Sequence, residues 1–205
     1  MAPGFTGLGH ELRAVDFEYN NAVFNRAGLF QITNAIAVGT GPGTRTGRKV
    51  IPKSFHLRGW VKAPRVEDAR QDLLSIIVVV DKQGNGNTPV KGDVLHATSD
   101  PSSTSFNNLN NMNRFLVLAR KQLVVGDRAA FDSGANPNSW EPAVYSVDIN
   151  VRNLERKMDP VMYKGNGGAV NDIAEGAIWV FLIGQHTTAA HDYTLTYETR
   201  FRYTT

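Results

Sequence analysis

The chain has 205 residues, with 22 Lys and Arg against 19 Asp and Glu, a formal charge of +3 and no cysteine. That length suits one domain with a substantial core. The missing thiols exclude disulfides, thiolate zinc sites and a cysteine nucleophile, the mild basic excess permits a polyanionic partner without demanding one, and no run reaches the roughly 18 apolar residues of a membrane helix.

The first 28 residues mix glycine, aromatics and both charge signs without a clear period. They read as an extended arm with a helical turn around residues 11–17, and they show no basic segment leading into an apolar secretion signal. Residues 29–38 (LFQITNAIAV) are β-rich and predict a leading strand. The expected division is therefore an arm with its leading strand over 1–38 and one folded domain over 39–205.

Residues 39–62, GTGPGTRTGRKVIPKSFHLRGWVK, carry Arg45, Arg48, Lys49, Lys53, Arg58 and Lys62 without an acidic residue. From Ser54 the period is two. Phe55, Leu57 and Val61 point one way; Ser54, His56 and Arg58 point the other, with Trp60 on their side. Pro52 cannot donate to a ladder, so it marks a bulge or the true start of the strand.

Residues 73–80 (LLSIIVVV) are nearly all apolar, as in a strand covered on both faces. Dense turn chemistry follows in DKQGNGNTP, then a short strand near 93–97 and a polar stretch over 100–113 in which Ser105 could cap a short helix. Residues 114–125 favour a strand. A long loop over 127–142 carries Phe131 and Trp140, and loops of that length are usually functional or interface-forming. Further strands are expected at 145–151, 160–163, 176–184 and 193–204. About eight strands after the arm, joined by long uneven loops, predict an all-β fold: a single eight-stranded jelly roll, that is, a Greek-key β-sandwich with an N-terminal arm.

Motifs for chemistry are sparse. The glycines of GTGPG lack the following helix of a phosphate loop, and Pro42 removes a donor. Asp81, Asn85, Asn87 and Asp93 offer oxygen ligands between 81 and 93, but without EF-hand spacing or a closing glutamate they read as a turn. His10, His56, His96, His186 and His191 form no zinc pattern, and no nucleophile elbow or paired carboxylates stand out. The expectation is no enzyme, no cofactor and no metal.

The binding candidates are basic and aromatic. If the basic strand pairs with the last one, Arg200 and Arg202 join Arg58 on one sheet. A nucleic-acid surface is then expected from Arg45, Arg48, Lys49, Lys53, Arg58, Arg200 and Arg202. Trp60 serves it by stacking on a base or by covering a subunit interface. Phe131 and Trp140 are the expected interface residues of the long loop.

The ordered set GTGPGTRTGRKVIPKSFHLRGWV, IIVVVDKQGNG, DVL, SFNNLNNMNRFLVLARK, MYKGNGGAVNDIAEGAIWVFLIG and YETRFRYTT resembles the capsid proteins of small circular Rep-encoding single-stranded DNA viruses, the circovirus-like and genomovirus-like group. The resemblance covers roughly residues 30–205. It implies a jelly roll that self-assembles into an icosahedral (T=1) shell of about 60 copies around circular single-stranded DNA, with inter-strand loops making subunit contacts. It also implies a place in the virion, assembly in the host nucleus, room for a host receptor and no membrane insertion. Such proteins usually start with an arginine-rich arm, whereas the first 28 residues here hold Arg13 and Arg26 against Glu11, Asp16 and Glu18. Either such an arm has been removed or this lineage lacks it, and in both cases weak genome binding and no basic N-terminal nuclear signal are expected of these residues. Two other readings compete. One is a carbohydrate- or ligand-binding sandwich with Trp60, Trp140 and Tyr145 as a platform; the other is a stand-alone single-stranded DNA-binding protein.

Overall fold

The computed structural model describes residues 12–64, 72–96, 100–126, 144–187 and 192–205. Strands dominate: β1 (Arg13–Phe24), β2 (Leu29–Ile32), β3 (Lys49–Lys62), β4 (Asp72–Asp81), β5 (Phe115–Val125), β6 (Val144–Arg152), β7 (Val161–Tyr163), β8 (Ile173–Glu175), β9 (Ala177–Ile183) and β10 (Tyr193–Thr204). Among the described residues the longest α-helical element is one turn, α1 (Lys91–Val94), and none of the described helices is long and apolar enough to cross a membrane.

Two antiparallel sheets form a β-sandwich. The first runs β1-β10-β3, with β6 on the far edge of β3 and the short β7–β8 pair continuing at its start; the second runs β2-β9-β4-β5. Alternation makes the first sheet. Phe55, Leu57 and Val61 of β3, and Leu195, Tyr197 and Phe201 of β10, are buried inside, while their even-numbered neighbours face out. Leu74, Ile76, Val78, Val180 and Leu182 of the second sheet belong to the same buried core. Two tyrosines bridge the layers, Tyr19 donating to the Ile32 carbonyl and Tyr197 to Gln31 Oε1.

Neither β4 nor β9 alternates, and the reason is a third layer. Ser75, Ile77 and Val79, paired with Ile183, Phe181 and Trp179, turn away from the first sheet, yet none is more than 2 % exposed. Described residues of the chain between β4 and β5 close over this face at Ser75. Ser75 Oγ donates to the Ser103 carbonyl at 2.8 Å, and Arg120 of β5 donates to the Ser103 and Ser105 carbonyls at 2.6 and 2.7 Å. Asp100 fastens this excursion by ion pairs to Arg26 (2.6 Å) and Lys91 (2.5 Å). Apolar surface is thus removed from water on both faces of β4 and β9.

Two expectations change. The supposed arm is largely strand: β1 pairs with β10 from Arg13↔Tyr203 to Phe24↔Tyr193, broken by a bulge between Tyr19 and Ala22 where Asn21 takes φ +55°. That bulge and the short polar side chains hide the period of two. β10 is thereby flanked on both sides, by β1 and by β3, so the basic strand does pair with the last one. The second change is near residue 93, where a helical turn replaces the expected strand. Pro52 does mark a bulge, because β10 pairs Arg202 with Ser54 but Tyr203 with Pro52, leaving Lys53 over.

Candidate nucleic-acid and assembly surface

Register places the charged residues of the first sheet in rows across its outer face. Arg200 lies between Asp16 of β1 and His56 of β3, with Asn150 of β6 beyond. The next row is Glu18, Glu198, Arg58 and Asp148. On the other side lie Ala14, Arg202, Ser54 and Arg152. Arg58, Arg200 and Arg202 do share one face.

That face is not simply basic. Arg200 donates to both oxygens of Asp16 at 2.8 and 2.6 Å. Asp148 sits 3.3 Å from His56 Nε2 and 3.4 Å from Arg58 Nε. The His56 hydrogen bond, then Arg58, hold the Asp148 carboxyl below the usual range, and Arg200 does the same for Asp16. Three of the cationic or titratable side chains therefore already have carboxylate partners, and Glu18 and Glu198 add further negative charge.

Several cations without an ion pair among the described residues gather at the start of β3: Arg48, Lys49, Lys53, Arg202 and, across Ser54, Arg152. Arg152 was not among the sequence candidates. Its signal was the alternation of Ser146, Asp148, Asn150 and Arg152, but only the β3–β6 register shows that this polar row adjoins Ser54.

Arg45 leaves the binding set. It is fully buried, donating to the carbonyls of Ile36 (2.8 Å), Gly47 (2.6 Å) and Gly165, with its guanidinium 4.1 Å above the Tyr163 ring. Burial pushes its pKa down. Three carbonyls and an aromatic face satisfy a planar fork well, so Arg45 pins the glycine loop to the domain instead of meeting phosphate. Two of the loop's own donors are also used, Gly39 N on Arg45 O (3.0 Å) and Thr44 N on Gly41 O (3.1 Å).

Trp60 is 50 % exposed on the charged face, opposite Thr196 and Ser146. Tyr145 pairs with Val61 and so has the opposite parity; its hydroxyl is tied to Gly126 N at 3.1 Å. These two aromatics of the expected sugar platform therefore lie on opposite faces. Trp140 and Phe131 lie outside the described residues, as do His10 and His191.

Between residues 81 and 93 three of the four side chains are engaged within the protein. Asp81 holds Arg114 at 2.9 and 2.8 Å, Asn85 Oδ1 accepts from Asn87 N at 3.0 Å, and Asp93 Oδ2 accepts from Val90 N at 2.9 Å. Among the described residues, no three metal-ligating acidic, His or Cys side chains converge.

A second surface lies on the excursion. Phe106, Leu109, Met112 and Val90 are 85, 72, 55 and 64 % exposed. The stretch carries the cap and turn formers expected of it, and F-N-N-L-N-N-M also repeats an apolar residue every third position. Neither a protein-family model nor a curated protein matches the chain.

Proposed function

We propose that this protein is a capsid subunit of a small circular single-stranded DNA virus, a jelly roll that closes into an icosahedral shell around its genome. The observation that carries the reading is the interleaving of the long strands. The orders β1-β10-β3-β6 and β2-β9-β4-β5 put consecutive long strands in opposite sheets at every step except β4 to β5. A chain wound in this way is what a Greek-key jelly roll requires, with the β7–β8 pair as an insertion between β6 and β9. The resemblance segments also fall on framework: the loop and β3, β4 with its turn, the excursion with β5, the run from β7 to β9, and the end of β10.

In this reading the outer face of the first sheet meets DNA at its basic end, through Arg48, Lys49, Lys53, Arg152 and Arg202, with Trp60 available to stack on a base. The virion is its location and the host nucleus its place of assembly. Negative-stain microscopy and light scattering of the purified protein over a range of salt and pH test the proposal. Closed shells are expected; a monomer under every condition overturns it.

The half-exposed Trp60 beside Arg58 favours one second reading, a stand-alone single-strand binder. That protein would bind as a monomer with steep salt dependence, whereas a shell subunit binds weakly until assembly aligns many copies.

A further inference from the structure

Residues 105–113, SFNNLNNMN, contain no charged side chain. Successive bonds from Asn111 N to Asn108 O (3.3 Å), Met112 N to Leu109 O (3.4 Å) and Arg114 N to Asn111 O (3.0 Å) wind the stretch into 3-10 turns. In such turns side chains three apart fall on one side, which sets Leu109 and Met112 in line. The asparagines hold the segment in place. Asn108 Oδ1 accepts from Asn110 N at 3.1 Å, Asn108 Nδ2 donates to Gly92 O at 2.8 Å, and Asn111 Nδ2 donates to Asp93 O at 3.2 Å. Phe106 and Leu109 are thus presented from an ordered segment, which lowers the entropy lost on binding. Beside them opens a cleft of about 530 Å³ lined by His96, Phe106, Asn107, Leu109 and Asn110, wide enough for more than one side chain.

The patch itself indicates its occupant. A two-fold contact brings each group near its own copy, so charges close to the axis repel, and an uncharged apolar patch avoids that cost. Such a contact also needs protrusion and recess on the same surface, so that each copy gives what it receives. Phe106, 85 % exposed at the rim of the cleft, supplies the protrusion. Nucleic acid would call for cations along the cleft, and no described Lys or Arg lines it. We propose that Phe106, Leu109 and Met112 form a two-fold contact between copies of this chain, each Phe106 seated in the partner copy's cleft. The inference rests on the self-assembly reading and names one surface that serves it.

The absence of native cysteine makes the contact testable on the full chain. An Asn110→Cys variant places one thiol at the rim, and an Asn150→Cys variant places one on the exposed face of β6 as a control. Under mild oxidation, N110C is expected to give disulfide-linked dimers at least roughly tenfold above N150C. Adding Phe106→Asp, or separately Leu109→Ser, should return that yield to the control level, with circular dichroism confirming the fold. Equal yields for N110C and N150C, or yields indifferent to both second substitutions, overturn the contact. Microscopy separates the two ideas. Shells without N110C dimers sink the contact and leave the shell; N110C dimers without shells do the reverse.

Discussion

Arg200 and Asp16 face each other across the β1–β10 pair and share two hydrogen bonds, at 2.8 and 2.6 Å. The acid that neutralises this arginine comes from a strand nearly the whole chain away. The charge on the sheet's outer face is therefore a balance between strands, and the balance can be shifted.

Substituting Asp16→Asn and Asp148→Asn together should unmask Arg200, Arg58 and His56 without disturbing buried groups. Affinity for a single-stranded oligonucleotide should rise several-fold at low salt, and the log–log salt slope should steepen by up to about one per acid removed. Arg152→Glu with Arg202→Glu should weaken binding. Filter binding across a salt series checks both; an unchanged slope in both variants would place the DNA elsewhere.

Arg45→Ala should act on stability alone. It strands the carbonyls of Ile36, Gly47 and Gly165, and a loss of about 3 kcal/mol is expected from buried groups left unpaired. Arg45→Lys keeps the charge but cannot make the fork, so it should rescue only part of the loss. Denaturant melts give the stability, and oligonucleotide affinity per folded molecule should stay at the native value for both.

Two aspartates should give opposite pH slopes. Arg200 holds the Asp16 carboxyl below 3.8, so its contribution is full above that pH and is lost as pH falls through the depressed value. Burial pushes Asp72 above 3.8, although it accepts a hydrogen bond from Gln185 N at 3.1 Å. Its ionisation is disfavoured in the fold, so stability declines as pH rises through the raised value. Asp72→Asn should gain on the native protein as pH climbs from below 3.8 through the raised value, while Asp16→Asn should flatten the acid limb. Denaturation midpoints against pH check this; curves parallel to the native one would contradict it.

Gly59 marks a tight approach within β3. A Cβ there would lie 2.4 Å from the Thr196 carbonyl oxygen and 2.6 Å from Tyr197 Cβ, whereas at Gly47 it would meet nothing within 4 Å. Gly59→Ala should lower stability by about 2 kcal/mol, and Gly47→Ala should stay within about 0.5 kcal/mol of the native protein. Thermal melts of the pair give the comparison.

Much of the framework could be read from residues alone. Where one face meets water, as in β3, β6 and β10, alternation announces itself; where both faces are covered, as in β4 and β9, an unbroken apolar run does the same. β1 was hidden because the bulge at Asn21 breaks its period and because Glu18 and Asn20 look like loop chemistry. The site was less legible. Arg45 looks like its basic neighbours, and only three-dimensional closure of the loop on Gly165 and Tyr163 buries it. The pairing of Arg200 with Asp16, and of Arg58 with Asp148, depends on register between distant strands, which a period cannot supply. Phe106, Leu109 and Met112 were visible as a repeat of three, yet the asparagines between them drew attention to turns.

The third layer has a consequence for how the molecule opens. β4 and β9 are hydrogen-bonded along both edges and shielded on both faces, so their amides reach water only when a neighbouring layer departs. Hydrogen exchange there should proceed by cooperative opening instead of local fraying. The outer strand β1 and the edge of β5 have no such shelter. Fluctuations that let a subunit adjust to its neighbours can run through those margins while the central pair keeps time with global unfolding.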